Sequence, residues 1–311
     1  MSLGVLNNIN AVYATNNLNN TSSSLSKVLQ QLSSGSKINS GADDAAGLSL
    51  VDGLAANSAA LTQSSTNASE GVGLLQVADG ALSQVTSLLN RAVTLATEAS
   101  NGTLTTTQTD AANQEYQSIL SEISNIGSTT TYNGSAVFGS TVNIYTGDST
   151  ATGASVDALT ISSLDATSST GSSVGDTGGT IKYTAATTSS AATISYTATA
   201  GAALGGTSLT GSTTALAETA AQSALTALNS AIKDVAAQDG YVGAQINTLN
   251  SVSSVLTTQQ ENVQSAQNAV QATDYASATS AMSKYEILSQ TGISALAQAN
   301  SVQQEVTKLL Q

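Results

Sequence analysis

Apolar residues recur at every seventh position in two long segments of the chain. The first series is Leu54, Leu61, Ala68, Leu75, Leu82, Leu89 and Ala96, and the second is Leu228, Val235, Val242, Leu249, Leu256, Val263 and Val270. Such a repeat keeps one stripe of each helix facing a partner and winds the pair into a left-handed supercoil. The pattern favours long paired helices in a rod, with a helical bundle in one globule as the alternative.

Two shorter apolar stripes lie near the ends of the chain. One consists of Leu18, Leu25 and Leu32, accompanied by Val28 and Leu29. The other alternates by three and four and consists of Tyr285, Leu288, Gly292, Ala295, Ala299, Val302, Val306 and Leu309. Helices with such narrow stripes are marginal alone in water. Each therefore needs a partner, which is either the other terminus or another copy of the chain.

Turn and capping residues divide the helical segments. Gly35 and the Asn39-Ser40-Gly41 stretch end the first helix, and Asp43 with Asp44 can cap the next one at its positive end. Thr107-x-x-Asp110 resembles a capping box that opens a third helix, which Gly127 stops. Asp274 marks a joint between two C-terminal helices.

The middle of the chain has a different composition. Ser and Thr supply 29 of the 70 residues from 141 to 210. Alternating polar and apolar residues predict four strands, at Thr141–Thr146, Ser155–Ile161, Thr180–Ala185 and Thr193–Thr199. The segments TIKYT and TISYT are expected to pair as a hairpin, and a disordered linker is the alternative for this region.

Composition excludes several classes of chemistry. The chain has no His, Cys, Pro or Trp and a net charge of −13. Without His and Cys there is no Cys/His zinc site, thiolate nucleophile or imidazole base. The negative charge argues against nucleic-acid binding and against a basic helix on a membrane surface. We also expect no transmembrane helix, no signal peptide, no catalytic residues, no metal and no cofactor.

Four stretches of the sequence resemble bacterial flagellin, and they occur in the order that the family has. They are KINSGADDAAGLSL at 37–50, NRAVTLATEASNGT at 90–103, EYQSILSEISNIGSTTTYNG at 115–134 and ATDYASATSAMSKYEILSQTGISALAQANSVQQEVTKLL at 272–310. The resemblance implies a mainly α fold. Long antiparallel coiled-coil helices from both termini would form a rod, with a small β-hairpin region and a small outer β domain in the middle.

The same resemblance implies a domain order. Segments 1–43 and 271–311 would form an inner coiled coil, 44–165 and 215–270 the rod, and 166–214 the outer domain. Asn39, Asp43, Asp44 and Gly47 would lie at the joint between the first two. The residues implied in subunit assembly are those of the terminal stripes, namely Leu18, Leu25, Leu29, Leu32, Leu288, Val302, Val306 and Leu309.

The function that the resemblance implies is structural. The chain would leave the cell through the flagellar type III apparatus and assemble with itself into an extracellular motility filament. Its other partners would be an export chaperone, the filament cap and hook-junction proteins. A hook–filament junction protein and a secreted coiled-coil adhesin are the alternatives.

Arg91, Leu95 and Glu122 match positions at which the family meets the animal Toll-like flagellin receptor. Arg91 and Leu95 are four residues apart on one helix, and Glu122 on the following helix is expected alongside Arg91. Val93 and Thr94 depart from the charged pair of strong agonists. A surface or intersubunit salt bridge is the alternative role for Arg91.

Overall fold

The computed structural model describes residues 8–147, 156–166, 180–184, 193–197, 204–205, 207–211 and 213–309. The helices in this part of the chain are α1 (Ile9–Ser34), α2 (Ala45–Ala99), α3 (Thr106–Thr129), α4 (Thr214–Gln271) and α5 (Tyr275–Leu309). The strands are β1 (Thr131–Tyr132), β2 (Ser135–Ala136), β3 (Ser140–Tyr145), β4 (Val156–Ile161), β5 (Thr180–Thr184) and β6 (Thr193–Thr197). The predicted mainly α fold, with strands in the middle of the chain, is confirmed.

The strands pair in sequence order as three antiparallel hairpins. The predicted pairing of TIKYT with TISYT is confirmed, with Thr180 opposite Thr197. The predicted strand ends at Ser155, Ala185 and 198–199 lie outside the described residues. The β1–β2 hairpin was not predicted, although Asn133 and Gly134 both adopt positive φ in its turn, and Asn-Gly is the usual signal for such a turn.

The chain divides into two compact units. The terminal unit comprises Met1–Ser58 and Glu261–Gln311, and the central unit comprises Ala59–Gln260. The predicted limits of the five domain segments stay predictions.

The core of the central unit is built on the predicted seven-residue repeats. Every member of both series that falls in this unit is buried: Leu61, Ala68, Leu75, Leu82, Leu89, Ala96, Leu228, Val235, Val242, Leu249 and Leu256. Hydrogen bonds join Thr62 to Gln260 (2.9 Å) and Ser65 to Ser253 (3.2 Å). Early residues of α2 therefore meet late residues of α4, and the two helices run antiparallel.

The β3–β4 hairpin packs on α2 at a glycine. The Ile144 side chain occupies the space that a Cβ at Gly71 would need. The backbone beside it is held by Asn67 Nδ2, which donates to Tyr145 O (2.9 Å), and by Ser64 Oγ, which donates to Gly147 O (2.5 Å). The missing side chain at Gly71 thus allows the hairpin to contribute to the core.

Helix α3 covers the same core and begins two residues earlier than predicted. Thr105 takes the capping position. Its backbone N–H (2.9 Å) and its hydroxyl (3.0 Å) both donate hydrogen bonds to Gln108 Oε1. The predicted Thr107–Asp110 box is therefore wrong by two residues. Further along α3, buried Tyr116 shares a 2.6 Å hydrogen bond with Thr207, and burial raises the pKa of its phenol.

Helix α2 is long and apolar enough to cross a membrane by length and composition alone, which the sequence analysis did not expect. Its apolar stripe, however, supplies much of the buried core of the central unit. These properties also fit the core helix of a folded protein.

Candidate functional site

Helices α1 and α5 form an antiparallel pair in the terminal unit. Asn8 Nδ2, at the start of α1, donates to Ala299 O near the end of α5 (2.9 Å). At the opposite end, a Cβ at Gly35 would lie 2.9 Å from Tyr275 Oη, close to the start of α5. Leu18, Leu25 and Leu32 are half-buried along this pair.

The terminal unit leaves large apolar side chains in solvent. Leu29 is 46% exposed, and Leu288 and Val302 are each 43% exposed. Of the predicted assembly residues, Leu18, Leu25 and Leu32 are therefore half-buried within the chain. Leu29, Leu288 and Val302 are exposed to solvent. Val306 and Leu309 belong to α5, but their side chains lie outside the described residues.

Sequence reasoning missed further exposed apolar residues of the terminal unit. Ile9, Val12, Tyr13, Ile287 and Ile293 are 57–66% exposed. A search for regular stripes overlooks them because they lie off the stripes, among polar residues. They could have been found from the sequence, because they are large apolar residues at positions where the helical pattern predicts polar ones.

The structure brings all four predicted joint residues together after α1. Asp43 forms an ion pair with Lys27 (Oδ1–Nζ 2.8 Å) and accepts hydrogen bonds from the backbone N–H groups of Asn39 (3.2 Å) and Ser40 (3.1 Å). The bond from Lys27, followed by that from Asn39, lowers the pKa of the Asp43 carboxyl to about 2. Asp43 therefore ties the interhelical segment to α1.

The adjacent carboxylate has a different role. Asp44 Oδ1 accepts from Gly47 N (2.9 Å) and so caps the first turn of α2. A Cβ at Gly47 would lie 2.5 Å from Asp44 Oδ2 and 2.7 Å from the buried side chain of Ile38. Glycine at this position lets the capping carboxylate and Ile38 approach the helix closely.

A short backbone bridge joins the two interhelical segments of the terminal unit. Lys37 N donates to Gln271 O (2.7 Å) and Thr273 N donates to Gly35 O (3.1 Å). These bonds flank the bridge of Ser36 with Ala272. Gly35 has a φ of 70°, a left-handed conformation that ends α1 and that glycine adopts without steric penalty.

Arg91 has a different partner from the one expected. Its Nε lies 2.7 Å from Glu115 Oε1, and the Arg91 and Glu115 side chains are 54% and 46% exposed. Glu115 raises the pKa of Arg91. Helices α2 and α3 are antiparallel around a short loop, and their register places residue 91 level with residue 115 rather than with Glu122. Glu122 is exposed on α3, whereas Leu95 is buried in the core at 3% exposure.

Across the part of the chain that the structure describes, no group of three or more Asp, Glu, His or Cys side chains could hold a metal ion. The fold and the terminal pair are those of a mainly helical protein whose described residues leave large apolar side chains exposed to solvent.

Comparisons with known proteins identify the family. Residues 5–143 match the bacterial flagellin N-terminal helical region, and residues 225–310 match the bacterial flagellin C-terminal helical region. A flagellin of Listeria monocytogenes is 32% identical over 289 residues, which are 92% of each chain. One of Halalkalibacterium halodurans is 30% identical over 309 residues, which are 97% of this chain and 98% of that one. The chain belongs to the bacterial flagellin family and is a structural subunit of the flagellar filament.

Proposed function

We propose that this chain polymerises through its terminal unit, while the central unit acts as a body that folds before assembly. The observation that carries the proposal is the exposure of Leu29, Leu288 and Val302 on the terminal pair. Fully burying a Leu or Val side chain contributes about 1.5–3 kcal/mol. Contacts with neighbouring copies are the natural way for these side chains to gain that stabilisation.

Assembly would then be coupled to ordering of the terminal helices. Fixing the backbone of one residue opposes folding by about 1–2 kcal/mol, and a pair of narrow stripes offsets little of that sum. We therefore expect residues 1–40 and 275–311 to be largely disordered in dilute monomer and to become helical in the polymer. Far-UV circular dichroism should show a marked gain in helix when filaments form.

Truncation tests this proposal directly. Removal of residues 1–35 or 276–311 should leave a soluble, folded central unit that no longer sediments as filaments. Deletion of residues 166–213 is the matched control and should still assemble, because it spares both terminal helices. A terminal truncation that pellets as filaments, or a protease-resistant terminus in the monomer, would contradict the proposal.

Family membership supports the finer parts of the role. We propose export through the flagellar type III apparatus, transient contacts with an export chaperone, the filament cap and hook-junction proteins, and a place in the extracellular filament without catalysis. A hook–filament junction protein, the closest alternative, would be present in few copies. Abundance of this chain in sheared filaments distinguishes the two roles, and an adhesin would not be found in filaments at all.

Receptor activation is a second proposal, and the open positions of Arg91 and Glu122 favour it. Leu95 would act from within the core by supporting the helix that carries Arg91. Arg91→Ala should reduce the signal that folded monomer gives in receptor-expressing cells, with little loss of stability, because exposed ion pairs contribute little. Glu115→Ala is the control, since it removes the ion pair and leaves the arginine. An inactive, folded wild-type monomer would refute the receptor proposal alone.

A further inference from the structure

An open groove runs along one flank of the α1–α5 pair. Its apolar part is formed by Leu18, Tyr285, Leu288, Gly292 and Ala295, and the polar residues that complete its lining are Asn17, Asn20, Thr21, Ser24 and Thr291. We call this set the acceptor groove. Leu288 is 43% exposed in it, so the groove presents apolar surface that the chain's own helices do not cover.

Gly292 keeps the acceptor groove open. A Cβ at this position would lie 3.4 Å from Leu18 Cδ1, which is ordinary van der Waals contact, and the helix would tolerate alanine. Glycine is less favourable than alanine inside a helix. Helix formation and α1–α5 packing therefore give no reason for glycine here, whereas room for an incoming side chain does.

A cluster of exposed apolar residues lies on another face of the same unit. Ile9, Val12 and Tyr13 are 62%, 58% and 66% exposed. At about 100° per residue they lie on the side of α1 opposite Leu18, and their spacing places them next to one another. We call these three residues the outer turn.

A lack of charged residues is a further property that the outer turn shares with most of the acceptor groove. The chain carries a net charge of −13, so copies repel one another in general. The sequence nevertheless has no charged residue before Lys27 and none between Glu286 and Glu305. The outer turn lies in the first uncharged stretch, and Leu288, Gly292 and Ala295 of the groove lie in the second. Tyr285 lies at the charged end of the groove, where Lys284 Nζ is 5.8 Å from its ring centroid. Beyond that end, a second copy can approach without repulsion or desolvation of charge.

We propose that the acceptor groove binds the outer turn of a neighbouring copy. This rests on the proposed function, because it names the contact through which the terminal unit would polymerise. The two surfaces lie on different faces of one unit, so the contact joins unlike patches. Contacts of that kind extend into open helical polymers rather than closing into a two-fold dimer.

Cysteine pairs test the contact, since the natural chain has no cysteine. Filaments of the double variant Val12→Cys, Ala295→Cys should give a ladder of covalent multimers after oxidation, and neither single variant should do so. The control pair is Val12→Cys, Ile287→Cys, because Ile287 is exposed on α5 outside the groove. A ladder of equal strength in the control, or none in the test pair, would overturn the proposal.

Filling the groove provides a second measurement. Gly292→Leu should raise the free-monomer concentration at equilibrium with filaments by about tenfold or more, although leucine is the better helix former. Ser294→Leu, on an exposed neighbouring position, should change it little. Equal assembly of both variants, or equal loss in both, would reject the groove as the contact. Failure of the wild-type chain to polymerise would instead reject the proposed function.

Discussion

The central and terminal units carry similar apolar stripes, but the stripes differ in what covers them. Leu75, Leu82 and Leu89 in the central unit are completely buried, whereas Leu288 and Val302 in the terminal unit are 43% exposed. In the central unit, α2 packs with α4 and is also covered by α3 and the β3–β4 hairpin. In the terminal unit, α1 packs mainly on α5. Two helices cover only one stripe of each other, and a further layer is needed to bury the rest.

The difference shows that an apolar repeat predicts that a helix has a partner, but not how much of the helix's apolar surface becomes buried. The central unit finds its further layer within the chain. Among the residues that the structure describes, no such layer covers the terminal unit, and the proposed function assigns that role to other copies. The predictions below test that contrast, from the largest expected effect to the smallest.

Truncation of a core leucine should have the largest effect on the monomer. Leu82 is fully buried, and Leu82→Ala should lower the free energy of unfolding by about 2–5 kcal/mol, because it leaves a cavity. Leu288→Ala on the exposed flank of α5 should lower it by less than about 1 kcal/mol. Urea unfolding followed by circular dichroism measures both, and similar losses would remove the contrast between the units.

A charge on the terminal pair should affect the polymer rather than the monomer. Leu29 is 46% exposed, so Leu29→Asp should leave the urea midpoint of the monomer unchanged and prevent sedimentation of filaments. Val306→Asp is expected to behave in the same way. Ser23→Asp, at another exposed position of α1, is the control and should assemble. Normal assembly of Leu29→Asp would show that this flank remains in solvent.

The buried phenol of Tyr116 should have a moderate, pH-dependent effect. Tyr116→Phe removes the hydrogen bond with Thr207 and should lower the free energy of unfolding by about 1 kcal/mol at pH 7. Burial raises the pKa of Tyr116 above 10.0. The folded state therefore favours the neutral phenol, and this contribution is complete below pH 10 and lost as the pH rises towards the raised pKa. The difference in free energy of unfolding between wild type and variant should therefore be about 1 kcal/mol at pH 7 and should shrink above pH 10. An unchanged difference above pH 10 would contradict the assignment.

The joint should show the smallest effect, because Asp43 and Lys27 are partly or largely exposed. The folded pKa of Asp43, about 2, lies below the ordinary 3.8. Its contribution is therefore present above about pH 4 and lost as the pH falls towards 2. Solid-state NMR of the carboxyl groups in filaments should give this midpoint for Asp43, because the terminal helices are expected to be ordered there. In filaments at pH 7, Asp43→Asn should speed tryptic cleavage after Lys37, whereas Asp52→Asn on exposed α2 should not. A midpoint near 3.8 would mean that the joint stays open in the filament.

Much of the fold was predictable from local pattern, because period and turn chemistry are local. The buried series from Leu61 to Ala96 and the β5–β6 hairpin both follow from it. The partner of Arg91 was not predictable, because Glu115 and Glu122 are seven residues apart on one helix and only the register of α2 against α3 selects between them. Asp43 and Asp44 were both expected as caps, yet only Asp44 caps α2, while Asp43 holds the preceding loop. These two roles differ because the loop after α1 folds back and places Asp43, rather than Asp44, against Lys27.

The proposed assembly surface was the hardest part to predict, since the partner that we propose for it is another copy of the chain. Stripe positions such as Leu18 were found because they face α5. The outer turn and Gly292 were not recognised as a matching pair, because periodicity within one helix carries no information about a contact between two copies. The exposure of Val12 and the open space beside Gly292 become visible only when α1 and α5 are placed together.

The hydrogen bond from Asn8 to Ala299 has a consequence for the order of folding. It joins positions that are 291 residues apart in sequence, and closing so long a loop in an unfolded chain is entropically unfavourable and slow. Antiparallel pairing of α2 with α4 removes most of that loop before α1 and α5 meet. Helices α1 and α5 should therefore pair after the central unit has formed, and they should separate first when the chain unfolds. Each newly made subunit then passes through a stage in which its body is finished and its two ends are still free.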